Sequence, residues 1–177
     1  MVDRILRAIR LDWTVFREIA EDQEAMSQAA IIVVVTTFLS ALGAGFVAQS
    51  FFGAFISSWI TSIIIGWIGW AVLTYLVGTY LFQGRSDIPE MMRVLGYAMA
   101  PNLLGFFRFI PCAGWIIALI GGVLAFIAGF IAIREAMEFD TGKAIVTVLI
   151  SWVISFAITF AVGLLFGGAA SVASGLQ

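Results

Sequence analysis

The sequence predicts an all-α, polytopic integral membrane protein with five transmembrane helices and an N-terminal amphipathic interfacial helix. Of the 177 residues, 62% are hydrophobic and only 11% are charged, whereas soluble domains are about 45–50% apolar and about 25% charged. The apolar residues also form long uninterrupted runs, which are typical of membrane-spanning helices and differ from the alternating pattern of membrane β-strands.

Composition excludes several chemistries. The chain has no His, and its one Cys is Cys112, so imidazole catalysis, imidazole metal ligation and an intrachain disulfide are all ruled out. The net charge of −2 provides no basic field for a polyanion. We therefore expect no catalytic residue, no metal or cofactor site and no nucleic-acid partner.

The first element is a cytoplasmic arm, residues 1–24, with apolar residues at helical spacing over 2–20. We predict one amphipathic helix lying on the membrane surface, with Trp13 at headgroup depth. Docking of a protein partner is the alternative role. The predicted interfacial anchors of this arm are Arg4, Arg7, Arg10, Trp13 and Arg17.

The transmembrane domain, residues 25–177, is divided by charge-free runs. A spanning helix needs about 20 apolar residues. The 60 uncharged residues between Glu24 and Arg85 therefore hold two spans with a turn at Gln49, Ser50 and Gly53, while the 25 before Arg134 and the 34 after Lys143 hold one each. The predicted spans are about 28–48, 56–82, 114–134 and 144–167, with a fifth at 91–110.

The span at 91–110 is third in the chain and depends on charge placement. Only 14 uncharged residues separate Arg93 from Arg108, and Pro101 is expected to kink them. If the segment spans, eight of the nine basic residues and all eleven acidic residues lie on the side of the N-terminus. The positive-inside rule then predicts a cytoplasmic N-terminus and an external C-terminus, with Arg108 as an anchor at the outer interface.

Small residues recur at four-residue spacing along the fifth span, a pattern that lets helix backbones approach closely in lipid. We predict that this stripe packs inside the bundle, and contact with another protein remains the alternative. The stripe consists of Ser151, Ser155, Thr159, Gly163 and Gly167.

Short motifs between residues 92 and 144 resemble the Yip1 family. These are the run from Met92 through the Gly-Tyr pair to Pro101, the Pro-x-x-Gly after it, and the segment from Arg134 to Ala144. The motif residues are Gly96, Tyr97, Pro101, Gly114, Glu135, Gly142 and Lys143.

The resemblance implies five spans and a cytoplasmic N-terminus. Eukaryotic relatives act in vesicle trafficking and bind prenylated Rab-type GTPases through cytoplasmic parts. The arm here is short and lacks an Asp-Leu-Tyr-Gly-Pro-like motif, so the chain is more similar to short bacterial members, and we expect it in the bacterial plasma membrane.

We expect a non-enzymatic membrane protein that acts through protein partners or membrane organisation. The expected partners are membrane lipids and other membrane proteins, in a homo- or hetero-oligomer. Two alternatives stay open. One is an accessory subunit of a larger, energy-converting membrane complex, and the other is a channel or permease for a small neutral solute.

Overall fold

A computed structural model describes residues 1–47, 51–111 and 113–174, and within these the side chains of residues 44, 47, 108, 109, 159 and 161–174 are not described. The described residues are helical or lie in short turns, so the predicted all-α class is confirmed. The helices are α1 Val2–Ile9, α2 Trp13–Glu21, α3 Ala25–Val47, α4 Phe51–Thr61, α5 Trp70–Phe82, α6 Ile88–Ala98, α7 Gly114–Ala136 and α8 Thr141–Ser174, with a π-helix at Ser62–Gly69 and a 3₁₀ helix at Ala100–Phe109.

Four helical stretches of the described chain are long and apolar enough to cross a membrane. They are Ala25–Gly43, Phe51–Phe82, Gly114–Ala136 and Thr141–Ile158. Gly53 lies inside α4, so its predicted place in a turn is wrong, because the apolar run resumes helical structure at Phe51. Gln49 and Ser50, the rest of that predicted turn, fall outside the described residues.

The predicted third span is broken into two helices of different pitch. Pro101 lacks a backbone N–H and cannot continue the α6 hydrogen-bonding ladder. The chain tightens there, with the Asn102 N–H donating to the Met99 carbonyl at 2.9 Å. The α6 helix of 11 residues is followed by the 3₁₀ helix of 10 residues, which together give an axial length of about 36 Å.

These two helices, Ile88–Ala98 and Ala100–Phe109, are together called the third segment. The third segment runs alongside α3 in the same direction. A Cβ on Gly96 would lie 2.8 Å from the Cβ of Ala29, and one on Gly43 would lie 2.6 Å from the carbonyl oxygen of Gly105. Between these points the Ser40 hydroxyl donates to the carbonyl of Asn102 at 2.8 Å. The two segments are therefore packed together along most of the length of α3.

Helix α7 packs against the opposite side of the third segment in the reverse direction. A Cβ on Gly121 would lie 2.8 Å from the Pro101 carbonyl oxygen, and one on Gly129 would lie 3.8 Å from the Leu95 side chain. The chain therefore passes up the third segment and returns along α7, with the third segment between α3 and α7.

Two further helical stretches pack outside this layer. Aromatic edge contacts join α4 to α3, with the rings of Phe55 and Trp59 each 5.3 Å from the ring of Phe38. The π-helix changes which residues after it face the bundle, since its hydrogen bonds run from i to i+5 and add residues to each turn. Trp67 then reaches the third segment and donates its indole N–H to the Met92 carbonyl at 3.0 Å, while α8 packs mainly against α5.

The N-terminal arm differs from its prediction. It forms two helices, so the single helix expected over residues 2–20 is wrong. Leu11 adopts a left-handed φ of 61°, and Asp12 begins α2 by accepting the Thr14 N–H at 3.0 Å. An aspartate at the N-cap satisfies the free N–H groups of a new helix, and the arm folds into a hairpin as a result.

Candidate interaction surface at the charged end

One end of the bundle carries α1, α2, the 83–87 turn and the 137–140 turn, and we call it the charged end. Two contacts bring the two turns together. A Cβ on Gly84 would lie 2.7 Å from the Phe139 ring, and the rings of Phe82 and Phe139 are 6.1 Å apart. The charged end therefore forms one continuous surface made from segments distant in sequence.

The arm is held to this end by apolar packing. Val15, Phe16 and Ile19 are fully buried, and α2 lies against α6 and α7. Trp13, the first residue of α2, remains 51% exposed. The buried face of α2 is therefore occupied by the bundle itself, and Trp13 stands on the outer surface of the charged end.

Arg93 links the arm to the third segment. It is 7% exposed, and its guanidinium donates to the Ala20 carbonyl at 2.6 Å. Ala20 lies in the last turn of α2, where unpaired carbonyls give the helix end a partial negative charge. Arg93 is not among the functional residues predicted from the sequence. The sequence signal for it is a basic residue directly flanked by the apolar Met92 and Val94 in α6.

Ion pairs connect the two helices of the arm. Arg4 pairs with Glu18 at 2.8 Å and with Asp22 at 2.6 Å, and Arg7 pairs with Glu18 at 3.0 Å and with Asp12 at 3.0 Å. Hydrogen bonds from Arg7 and Arg4 hold the pKa of the Glu18 carboxyl below its usual value, and the bond from Arg4 does the same for the pKa of Asp22. The hairpin is therefore stabilised while these carboxyls are ionised.

Glu135 is the buried carboxylate of the surface. It is 7% exposed and lies 2.7 Å from Arg134 and 3.4 Å from Arg17. Since Arg17 belongs to α2 and Glu135 to α7, this pair is a second polar contact between arm and bundle. A buried carboxylate needs such partners, because an unpaired charge away from water is costly.

The remaining motif residues lie near the end of α6 and at the starts of α7 and α8. Tyr97 is fully buried and donates its hydroxyl to the Gln28 side chain at 2.7 Å. Gly114 begins α7 and donates its N–H to Ile110 at 2.8 Å. Gly142 and Lys143 are exposed in the first turn of α8, and the Lys143 N–H is bonded to Asp140 at 3.0 Å.

The predicted packing stripe is described only in part. Ser151 is fully buried, and Ser155 is half-buried beside the π-helix and α5. The side chains of Thr159, and the surroundings of Gly163 and Gly167, lie outside the described residues, as does the side chain of Arg108. Arg10 is exposed, whereas Arg4 and Arg7 are occupied in ion pairs, and lipid anchoring by the arm stays a prediction.

The surface carries an exposed Trp13 together with partly exposed guanidinium and carboxylate groups. Among the described residues, no group of three or more carboxylates or thiols is placed to hold a metal ion.

The fold and its apolar helices define an integral membrane protein of the all-α class. Residues 14–172 match the family described as Yip1 domain. The chain therefore belongs to the Yip1 family, as its motifs predicted. No curated protein and no solved structure matches it.

Proposed function

We propose that this Yip1-family protein is a non-enzymatic, five-span protein of a bacterial plasma membrane that acts by binding protein partners at its charged end. The observation that carries the proposal is the docked arm. Arg93 and Glu135 are buried charged residues of the bundle. Arg93 contacts the Ala20 carbonyl of α2, and Glu135 contacts Arg17 of α2. Such fixing keeps Trp13 exposed on an ordered surface, and rigid presentation reduces the entropy lost when a partner binds.

The path of the third segment supports the fifth span. Its length of about 36 Å exceeds the hydrocarbon thickness of about 30 Å. Its contacts with α3 extend from Ala29 to Gly43, so it covers the same depth as a helix that meets the criteria for spanning. The 3₁₀ helix is tolerated at that depth, because α3 and α7 lie close to the carbonyls of Pro101, Asn102 and Gly105.

Orientation follows from charge. With five spans, the charged end holds eight of the nine basic residues, and the positive-inside rule assigns that end and the N-terminus to the cytoplasm. The C-terminus then lies outside. The arm, 1–24, and the transmembrane domain, 25–177, are two parts of one folded unit in this proposal, since α2 has no other apolar surface to cover its buried face.

Single-cysteine variants test the topology. In a Cys112→Ser background, we expect Ala113→Cys to react with an impermeant maleimide added outside intact cells, and Gln83→Cys to react only after permeabilisation. Both positions are exposed, so access to the reagent is matched. Labelling of both positions from the same side would overturn the five-span arrangement.

A photo-crosslinking amino acid at Trp13 tests the partner surface in living cells. We expect discrete protein adducts at Trp13, which is 51% exposed. We expect none at Phe52 on α4, which is apolar, 75% exposed and away from the charged end. Adducts from both positions to the subunits of one complex, in stoichiometric amounts, would instead favour an accessory subunit. Only lipid adducts at Trp13 would contradict partner binding.

A further inference from the structure

A polar cavity of about 320 Å³ lies within the helix bundle, away from the charged end. Ser40 in its lining is about 22 Å along α3 from Ala25, towards the other end of the candidate span Ala25–Gly43. Hydroxyl and amide groups from three segments line it, and among the described residues its lining carries no formal charge. The polar lining residues are Thr37, Ser40, Ser58, Ser62 and Asn102.

The hydroxyls in this cavity favour a ligand that donates hydrogen bonds. Thr37 donates to the Val33 carbonyl at 2.6 Å, and Ser40 donates to the Asn102 carbonyl at 2.8 Å. Each hydroxyl therefore keeps its oxygen lone pairs as acceptors. An occupant with an N–H or O–H group can donate to these oxygens and is therefore stabilised there.

An apolar groove of about 690 Å³ adjoins the polar cavity. Ala118 and Gly122 of α7 line both spaces. The groove is otherwise formed by apolar side chains of α7 together with Trp152 of α8. A polar chamber joined to an apolar groove has the shape of a site for an amphiphile.

We propose that this composite cavity binds a membrane lipid with an uncharged, hydroxyl-bearing head, whose head enters the polar chamber and whose chain lies in the groove. A charged head is disfavoured because the described lining of the chamber offers no counter-ion and an unpaired charge away from water is costly. This inference is independent of partner binding at the charged end.

Gly122 provides the sharpest test, because it lies at the junction of the two spaces. A Cβ at Gly122 meets no atom within 4 Å, so Gly122→Leu fills the passage without displacing the bundle. Gly66 in the π-helix is equally open and lines neither space, so Gly66→Leu is a matched control.

Native mass spectrometry of the detergent-solubilised protein measures the binding. The probes are dioleoylglycerol, dioleoyl phosphatidic acid with the same chains and an anionic head, and glycerol as a free head. We expect dioleoylglycerol to bind at least tenfold more tightly than the other two. Gly122→Leu is expected to weaken it at least tenfold, and Gly66→Leu to leave it unchanged.

A second pair of variants probes the head chamber. The double variant Ser58→Ala, Ser62→Ala is expected to weaken dioleoylglycerol binding at least fivefold, whereas Ser57→Ala, an exposed serine bonded to its own helix, is not. Equal binding by all variants, preference for phosphatidic acid, or binding of glycerol alone would overturn the proposal. So would a protein dimer that Gly122→Leu dissociates, since a second copy would then cover the groove.

Discussion

The Arg93 guanidinium on α6 donates a hydrogen bond to the Ala20 carbonyl at the end of α2, and these two residues are 73 positions apart in the chain. The contact fixes the last turn of the arm to the third segment. It places a buried positive charge beside the negative end of the α2 dipole, so a residue of α6 helps to hold the N-terminal arm in place.

Replacing Arg93 by Met is expected to undock the arm. The loss of a charge-assisted hydrogen bond and of the dipole interaction is about 2 kcal/mol, or roughly a thirtyfold larger open population. Tryptic cleavage at Arg17 in α2 should accelerate accordingly. Arg93→Lys should restore part of the protection, and Arg85→Met, at an exposed position, should leave the cleavage rate at its original value.

Gly96 and Gly122 should respond in opposite directions to Ala. A Cβ at Gly96 would lie 2.8 Å from the Cβ of Ala29 and 3.3 Å from its backbone, so Gly96→Ala forces α3 and α6 apart and is expected to destabilise the protein by about 1–3 kcal/mol. Gly122→Ala meets open space and gains helix propensity of up to about 1 kcal/mol. Thermal unfolding of the two variants in the same detergent measures the difference in stability. Equal losses of stability in both variants would contradict the close α3–α6 packing.

Acid should release the arm hairpin. Because the pKa of Glu18 is lowered from 4.5 in the folded state, its contribution is complete above that value and is lost as the pH falls through the folded pKa. An NMR titration of the carboxyl carbons should give a Glu18 pKa below 4.5. Arg7→Gln should raise that pKa, and Arg10→Gln, which removes an exposed arginine of the same arm, should not. A Glu18 pKa unchanged by Arg7→Gln would disprove the ion pair.

The sequence predicts membrane-spanning helices, and four described stretches are long and apolar enough to span, whereas it does not predict the two helices of the arm. The hydrocarbon thickness sets the length of an apolar run, so charges such as Glu24, Arg85 and Lys143 limit where α3, α5 and α8 can lie. The break at Pro101 was also foreseen, since proline lacks an N–H. The sequence does not predict the 3₁₀ geometry after Pro101. The segment there is packed closely against Gly43 of α3 and Gly121 of α7, which are tertiary contacts.

The packing of α2 against the bundle is not predictable from the sequence, because amphipathicity does not identify what covers an apolar face. Val15, Phe16 and Ile19 are compatible with either lipid or protein, and their burial against α6 and α7 is a tertiary contact. The sequence also gives no sign of the helix break at Leu11, since leucine rarely adopts a positive φ. Asp12 was the available signal, because aspartate is a preferred N-cap residue.

The interface between α5 and α8 yields the last prediction. The Thr147 hydroxyl is fully buried and, among the described atoms, lacks a hydrogen-bond partner, whereas the Thr74 hydroxyl on α5 donates to the Trp70 carbonyl at 2.8 Å. Thr147→Val keeps the shape and removes an unsatisfied polar group, so it is expected to stabilise the protein by about 1 kcal/mol.

Thr74→Val makes the same chemical change where a bond exists and should be neutral or destabilising. Thermal unfolding and the oligomeric state in detergent are measured together for both variants. If Thr147→Val lowers stability or dissociates an oligomer, the stripe of α8 that includes Ser151 packs against a second protein and not only against α5. Stabilisation of a monomer would instead support packing inside the bundle, because only there does the hydroxyl lack both water and a partner.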